Sequence, residues 1–230
     1  MSGRRKAPVL AIDGPSGSGK GTVGQLLAAR LGWHYLDSGA VYRVLAEAAR
    51  RAGAAPDDTV LAHLARELDV EFRARPPAAP QVLLGGDDVT DAIRSEACGD
   101  LASRIAARAD VREALLDLQR RLRRHPGLVA DGRDMATTVF PDAVVKIYLT
   151  ASPEIRAARR YKQLKDKDFD VNLPRLVSEI RERDLRDARR EASPLRPAPG
   201  AIQLDSSDLT IDEVVERVWR AVQEALPGQQ

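Results

Sequence analysis

The sequence predicts an α/β fold in which a five-stranded parallel sheet is flanked by helices. Three observations support this prediction: short apolar runs recur along the chain, stretches with helical spacing separate them, and a glycine-rich segment joins the first run to the first helix. Such alternation is typical of parallel sheets, whose strands are joined by helical crossovers. The five runs are Val9–Ile12, Trp33–Leu36, Leu128–Ala130, Val144–Leu149 and Ala201–Leu204.

The composition indicates a protein with a substantial core and a nearly neutral charge. Its 230 residues are 43% hydrophobic, which suits one domain carrying an insertion, and 36 Lys and Arg face 34 Asp and Glu. Cys98 is the only cysteine, so an internal disulfide is impossible and a reducing compartment is favoured. Arg4–Lys6 precede only a short apolar run that Asp13 interrupts. We therefore expect a soluble cytoplasmic protein with no membrane partner.

A glycine-rich loop between the first strand and the first helix predicts a phosphate-binding site. Its glycines allow the backbone amides to turn inward around a phosphate, and the following helix adds the positive end of its dipole. Lys20 would reach the β- and γ-phosphates of a nucleoside triphosphate. A turn that binds nothing is disfavoured by this strand, loop and helix context. The loop comprises Gly14, Pro15, Ser16, Gly17, Ser18, Gly19, Lys20, Gly21 and Thr22.

The residues that follow the lysine of this loop narrow the class of enzyme. The common motif has Ser or Thr directly after the lysine to bind Mg²⁺, whereas Gly21 stands there and Thr22 follows. The loop resembles that of nucleoside-monophosphate kinases, which implies Mg²⁺ held largely by the phosphates of ATP and by water. The protein ligands of the metal stay unassigned. No Asn-Lys-x-Asp segment occurs, so a GTPase is disfavoured.

A second anion site is indicated after the second strand. Ser38 and the first-turn amides of the next helix can bind an anion, while Arg43 supplies positive charge. The alternative is that Ser38 caps the helix and Arg43 is a solvated side chain.

Charged residues also follow the third core strand, where parallel sheets bind their ligands. Asp131, Arg133 and Asp134 stand there, and burying them without partners would be costly. Simple ion pairing is the other interpretation.

Further along, Arg183, Asp187 and Arg190 have the spacing i, i+4 and i+7, which places two cations around one carboxylate on one helix face. This pattern fits a clamp for a sugar and a phosphate, or else a surface ladder of salt bridges.

Two segments interrupt the alternation. Val70–Thr90 reads as short antiparallel strands with a proline-rich turn, and Gln163–Pro174 reads as a polar, mobile loop. Just before that loop, Arg156, Arg159 and Arg160 could swing onto a triphosphate, or they form a solvated helix face.

The last helix is the clearest in the sequence. Thr210 and Glu213 have the spacing of a capping box, and Trp219 lies on the apolar stripe, so we assign Trp219 to packing.

Taken together, the motifs resemble those of the bacterial cytidylate kinase family. They are Asp13–Thr22, Leu36–Arg43, Asp131–Met135, Phe140–Ala143, and Glu182–Asp184 with Asp187. The resemblance implies a P-loop kinase core that transfers phosphate from ATP to CMP or dCMP, with Mg²⁺. It also implies one domain over 1–230, with a monophosphate-binding insertion at about 60–100 and a mobile lid at about 157–176.

The resemblance further implies roles for individual residues. Ser38, Arg43, Arg133 and Arg190 would hold the acceptor phosphate, Arg183 and Asp187 the sugar, and Ser103, Arg112 and Asp134 the cytosine, with Tyr42 and Asp131 beside them. In transfer, Lys20 would hold the β- and γ-phosphates, and Arg133 and Arg190 would orient the attacking oxygen. Arg159 and Arg160 would offset the charge that develops. An aspartate suits the amino group of cytosine and not the carbonyl of uracil, so CMP is expected to be preferred over UMP.

Two other functions remain open at this point. One is a kinase of another monophosphate or small metabolite on the same fold. The other is an ATP-dependent regulatory or nucleic-acid-binding module that uses Arg120–Arg124, although the apolar stripe of that helix makes a solvated basic face the simpler explanation. We expect a monomer with no nucleic-acid partner.

Overall fold

A computed structural model of the chain describes residues 6–75, 78–166 and 171–227. The predicted proline-rich turn, the centre of the predicted lid and part of the basic segment Arg4–Lys6 lie outside these residues, at 76–77, 167–170 and 1–5. Of the described helices, none combines the length and apolar character that crossing a membrane requires.

The elements alternate as the sequence predicts. In chain order they are β1 (Val9–Asp13), α1 (Lys20–Leu31), β2 (His34–Asp37), α2 (Ser38–Arg51), α3 (Val60–Arg66), β3 (Val70–Arg75), β4 (Ala78–Leu84), β5 (Asp87–Asp88), a 3-10 turn (Ala92–Arg94), α4 (Glu96–Ile105), α5 (Ala109–Arg121), β6 (Leu128–Gly132), a π-helix (Met135–Val139), β7 (Val145–Thr150), α6 (Pro153–Lys165), α7 (Leu173–Arg189), β8 (Ile202–Asp205) and α8 (Ile211–Ala225).

The chain divides into two compact units. The first comprises residues 1–36 and 120–230, and the second comprises residues 37–119. The main sheet has the strand order β2-β6-β1-β7-β8, with β1 parallel to both β6 and β7, and β7 parallel to β8. The predicted five-stranded parallel sheet flanked by helices is therefore confirmed.

The core of the first unit lies between this sheet and helices α1 and α8. Every residue of β1 and β6 is buried, as expected for central strands covered on both faces. Four valines of α8 join this core, and Trp219 packs against it as predicted. The predicted capping box is present, because Thr210 accepts from the Glu213 amide while the Glu213 carboxylate accepts from the Thr210 amide.

The second unit contains the predicted antiparallel segment. Strand β4 pairs antiparallel with both β3 and β5. Helices α2 to α5 supply its apolar interior, where Leu45, Leu61, Ile105 and Leu115 are fully buried.

The segment Gln163–Pro174, expected to be a mobile loop, includes the end of one helix and the start of the next. Helix α6 continues to Lys165 and α7 already begins at Leu173. Apolar side chains of the two helices, including Leu164 and Leu176, pack together. The lid itself stays a prediction.

Candidate active site

The phosphate loop occupies the predicted position, between the end of β1 and the start of α1. Gly14, Gly17 and Gly19 have φ angles of 152°, 79° and 96°, which side-chain-bearing residues rarely adopt. A Cβ at Gly14 would lie only 1.9 Å from the carbonyl oxygen of Leu149. The glycines are therefore needed both for the backbone turn and for the close approach of β7.

The loop is held by donors that bind its carbonyl groups. The buried Lys20 ammonium donates to the Pro15 carbonyl at 2.8 Å. Arg156 donates to the Ser16 carbonyl at 3.0 Å. The Ser206 hydroxyl shares its one proton between the carbonyls of Ser18 and Thr150, at 3.1 and 3.0 Å. The loop is thus ordered by contacts from its own lysine, from α6 and from the segment after β8.

A carboxylate stands close to the unusual glycine of the loop. The Tyr35 hydroxyl donates a hydrogen bond to Oδ2 of Asp131 at 2.5 Å. A Cβ at Gly21 would lie 3.6 Å from the same Asp131 oxygen. Thr22, by contrast, is exposed. Within the described ranges, no three His, Cys, Asp or Glu side chains form a group that could hold a metal ion.

Four predicted residues of the first unit form one charged cluster. Arg133 donates to Asp187 at 2.8 Å, and an Arg190 nitrogen lies 3.9 Å from the other Asp187 oxygen. Burial by itself would raise the pKa of Asp187, but Arg133, Arg183 and Arg190 hold this pKa below its ordinary value. Three guanidinium groups around one carboxylate carry a net charge of +2, which suits an anionic ligand.

One detail of this cluster differs from the prediction. Arg190 was expected on the same helix as Arg183 and Asp187, but α7 ends at Arg189 and Arg190 has the extended angles φ −62° and ψ 140°. The side chain is nevertheless buried beside Asp187, with 4% of its surface exposed. A surface ladder of salt bridges is therefore the wrong description of this cluster.

Asp134 is buried and stands directly before the π-helix that follows β6. The first two amides of that helix, those of Met135 and Ala136, donate to the two oxygens of Asp13 at 2.8 Å each. Burial raises the pKa of Asp13 to about 6, and these two hydrogen bonds limit the rise. Asp13 thereby fixes the backbone that carries Asp134.

The other predicted binding residues belong to the second unit. Asp37, and not Ser38, caps α2, because an Asp37 oxygen accepts from the Ala40 amide at 3.0 Å. Ser38 is the first residue of α2 and is buried. Arg43 is not a freely solvated side chain, since it donates to the carbonyls of Ile93 and Ser95 at 2.7 and 3.1 Å.

Two further helices of this unit carry the residues predicted to bind the base. The Arg112 guanidinium lies 5.5 Å from the centre of the Tyr42 ring, and Arg112 also donates to the Ala106 carbonyl at 3.1 Å. Ser103 is buried on α4, and among the described residues its hydroxyl has no hydrogen-bond partner. A buried hydroxyl of this kind is suited to a ligand that supplies the missing partner.

The sequence of this chain matches known proteins along nearly its whole length. The family model described as cytidylate kinase matches residues 10–224. The chain belongs to the cytidylate kinase family. It is 56% identical to the cytidylate kinase of Methylococcus capsulatus, over 94% of this chain and 97% of that protein. It is 57% identical to that of Azotobacter vinelandii, over 93% and 94%.

In this chain of the cytidylate kinase family, two arginines of the basic helix segment hold contacts within the fold. Arg120 donates to the carbonyls of Thr138 and Val139, at 3.1 and 3.2 Å. Arg123 binds the carbonyl of Ala7 and the carboxylate of Asp142. These two arginines hold backbone and ion-pair contacts, so describing the whole run as a solvated face was wrong.

The arginines of α6 also differ from the expectation. Arg156 is buried and bound to the loop, and therefore does not lie on a solvated face. Arg159 donates to the hydroxyl of Ser206 at 3.1 Å and to its carbonyl at 2.5 Å, and Arg160 is half-buried. A direct role of Arg159 and Arg160 in phosphoryl transfer stays a prediction.

Several residues around the site were missed by the sequence-based predictions. Asp13 and Asp184 were named only as members of the family motifs, and no role was assigned to either. Tyr35 and Ser206 carried no signal in the sequence, since their partners are distant in sequence.

Proposed function

We propose that this chain is an ATP-dependent kinase that phosphorylates CMP and dCMP, giving CDP or dCDP and ADP. The observation that carries the proposal is 56% identity to a cytidylate kinase over 94% of the chain. The phosphate loop with Gly21 after its lysine supports the same conclusion. We further propose that the enzyme is a cytoplasmic monomer without a nucleic-acid partner.

Catalysis would depend on alignment and charge, not on a general base. The phosphate of CMP is largely a dianion near neutral pH and can attack without losing a proton. Lys20 and the loop amides would hold the β- and γ-phosphates of ATP. Arg133 and Arg190, within a cluster of net charge +2, would bind the acceptor phosphate and orient its attacking oxygen.

The residues near Gly21 fit the Mg²⁺ ion that accompanies ATP. Mg²⁺ usually binds one or two carboxylates together with substrate phosphates and water. Asp131, hydrogen-bonded by Tyr35 next to the loop, is the carboxylate suited to this role. When bound, the ion would offset the charge that develops on the phosphate oxygens.

Base recognition would use one carboxylate and two donors. Asp134 would accept from the amino group of cytosine, while Arg112 and the unpartnered hydroxyl of Ser103 would bind its ring nitrogen and carbonyl. Tyr42, which lies beside Arg112, would line the base. In the same scheme Ser38 and Arg43 bind the acceptor phosphate, and Arg183 and Asp187 bind the sugar.

The decisive experiment is a coupled ADP-release assay with CMP, dCMP, UMP and AMP. CMP and dCMP should be phosphorylated about 5- to 150-fold more efficiently than UMP, because a buried carboxylate facing a uracil carbonyl costs about 1–3 kcal/mol. Equal rates with UMP or AMP would refute the cytosine assignment.

Two variants localise the activity. Asp134→Asn should reduce the preference for CMP over UMP more than it reduces CMP turnover. Asp142→Asn is the matched control. Asp142 precedes β7, whereas the loop follows the parallel strand β1, so the two lie at opposite ends of the strands. Lys20→Ala should slow transfer by about 100-fold or more, and near-normal turnover would remove Lys20 from the mechanism.

A further inference from the structure

The carbonyl groups of the phosphate loop determine where its amides point. In a trans peptide the carbonyl of one residue and the N–H of the next lie in one plane and point in opposite directions. A donor bound to the Ser16 carbonyl therefore also fixes the direction of the Gly17 N–H. That donor is Arg156, at 3.0 Å.

Arg156 is itself held on several sides. Its Nε donates to the Ala151 carbonyl at 2.8 Å, and its two terminal nitrogens bind the two oxygens of Asp184 at 3.0 and 2.5 Å. The arginine side chain is 3% exposed and the aspartate side chain 26% exposed. This paired planar geometry is the one in which arginine binds a carboxylate most specifically.

The loop and helix α6 also touch at this point. A Cβ placed on Gly17 would lie 3.1 Å from the Cβ of Arg156, so the backbone of the loop lies directly against the arginine. Gly17 has a φ of 79°, a conformation that glycine adopts without strain. The Ser16–Gly17 peptide is thus bounded by Arg156 through packing as well as through the hydrogen bond.

We infer that Arg156 is a positioning residue that orients the Ser16–Gly17 peptide for the phosphates of ATP, and that Asp184 fixes Arg156 in this position. The inference rests on the proposed function. Arg156 contributes here through the loop backbone, not by swinging onto the triphosphate. Because Asp184 belongs to α7, the affinity for ATP depends on the helix that also carries Arg183 and Asp187.

The test is ATP binding measured by calorimetry with Mg²⁺ and without any acceptor. Arg156→Gln should raise the Kd for ATP about tenfold or more, because it removes charge-assisted hydrogen bonds. Asp184→Asn keeps the shape and loses the charge, so an increase of about threefold is expected. The KM for ATP should rise in parallel and by a larger factor than the KM for CMP.

Arg181→Ala is the matched control. Arg181 pairs with Glu154 and so joins the same two helices, but both side chains are more than half exposed, at 61% and 55%. This variant should leave the Kd for ATP within about twofold of the original value. An equal loss of ATP affinity in Arg181→Ala would overturn the inference, because general packing of the helices would then explain the effect.

An unchanged Kd for ATP in folded Arg156→Gln would also overturn it. Circular dichroism establishes folding, and if Arg156→Gln fails to fold, Arg156→Lys and Asp184→Asn are judged by the same criterion. The proposed function fails separately, if the original chain binds ATP but does not phosphorylate CMP. The binding measurement stays decisive for Arg156 in that case.

Discussion

The buried carboxylate of Asp13 should make the stability of this protein depend on pH in a direction unusual for an aspartate. Its pKa rises from the ordinary value of 3.8 to about 6, with burial as the main cause. The folded protein therefore holds a proton that the unfolded chain releases between these two values. The neutral Asp13 carboxyl makes its full contribution to the free energy of unfolding below pH 3.8. This contribution is lost as the pH rises to about 6, and little changes above that.

The size of the effect follows from the two pKa values. One pH unit corresponds to about 1.36 kcal/mol, so ionising Asp13 costs about 3 kcal/mol more in the folded protein than in the unfolded chain. Most of this loss occurs below pH 5. Between pH 5 and pH 8, integrating the same linkage gives a further loss of about 1.4 kcal/mol.

The measurement compares urea unfolding of the original chain and Asp13→Asn at pH 5, 6, 7 and 8. The original chain should lose about 1.4 kcal/mol relative to the variant over this range. Asp205→Asn serves as control, because the Ser207 hydroxyl and amide lower the pKa of Asp205 and it does not titrate there. A relative change below about 0.5 kcal/mol, or a carboxyl NMR titration of Asp13 with its midpoint near 4, would refute the reasoning.

Two further predictions concern the loop. Ser206→Ala removes the hydroxyl shared by the Ser18 and Thr150 carbonyls, so the KM for ATP should rise about fivefold in steady-state kinetics while the KM for CMP stays unchanged. A larger change for CMP would contradict this. Gly14→Ala places a Cβ 1.9 Å from the Leu149 carbonyl and should lower stability by more than about 4 kcal/mol in thermal unfolding. Gly200→Ala, with φ 74° and open space around it, is the control and should lose only about 1–2 kcal/mol.

The features predicted correctly from the sequence are those encoded within a few residues. The apolar runs predicted the five strands, and the glycines predicted the loop. The pair Thr210 and Glu213 predicted the start of α8. Each depends on periodicity, backbone freedom or a capping contact, all of which are local. Even here adjacent residues could be confused, because Asp37 and Ser38 are both good caps and only the extended backbone at Asp37 decides between them.

The features that were missed depend on contacts between distant parts of the chain. Asp13 binds amides more than 120 residues away, and Arg156 binds a carbonyl 140 residues away. No periodicity in the sequence reports such pairs. The π-helix after β6 was likewise not predicted; the two amides at its start donate to Asp13, not to a residue near in sequence.

The anchoring of the phosphate loop also has a consequence for synthesis of the protein on the ribosome. The loop and β1 emerge before their partners, because the strands that pair with β1 begin at Leu128 and Val145, and the loop carbonyls contact Arg156 and Ser206. An incomplete chain therefore carries the whole nucleotide motif without the contacts that orient it. The phosphate loop is thus translated well before the residues that complete its surroundings.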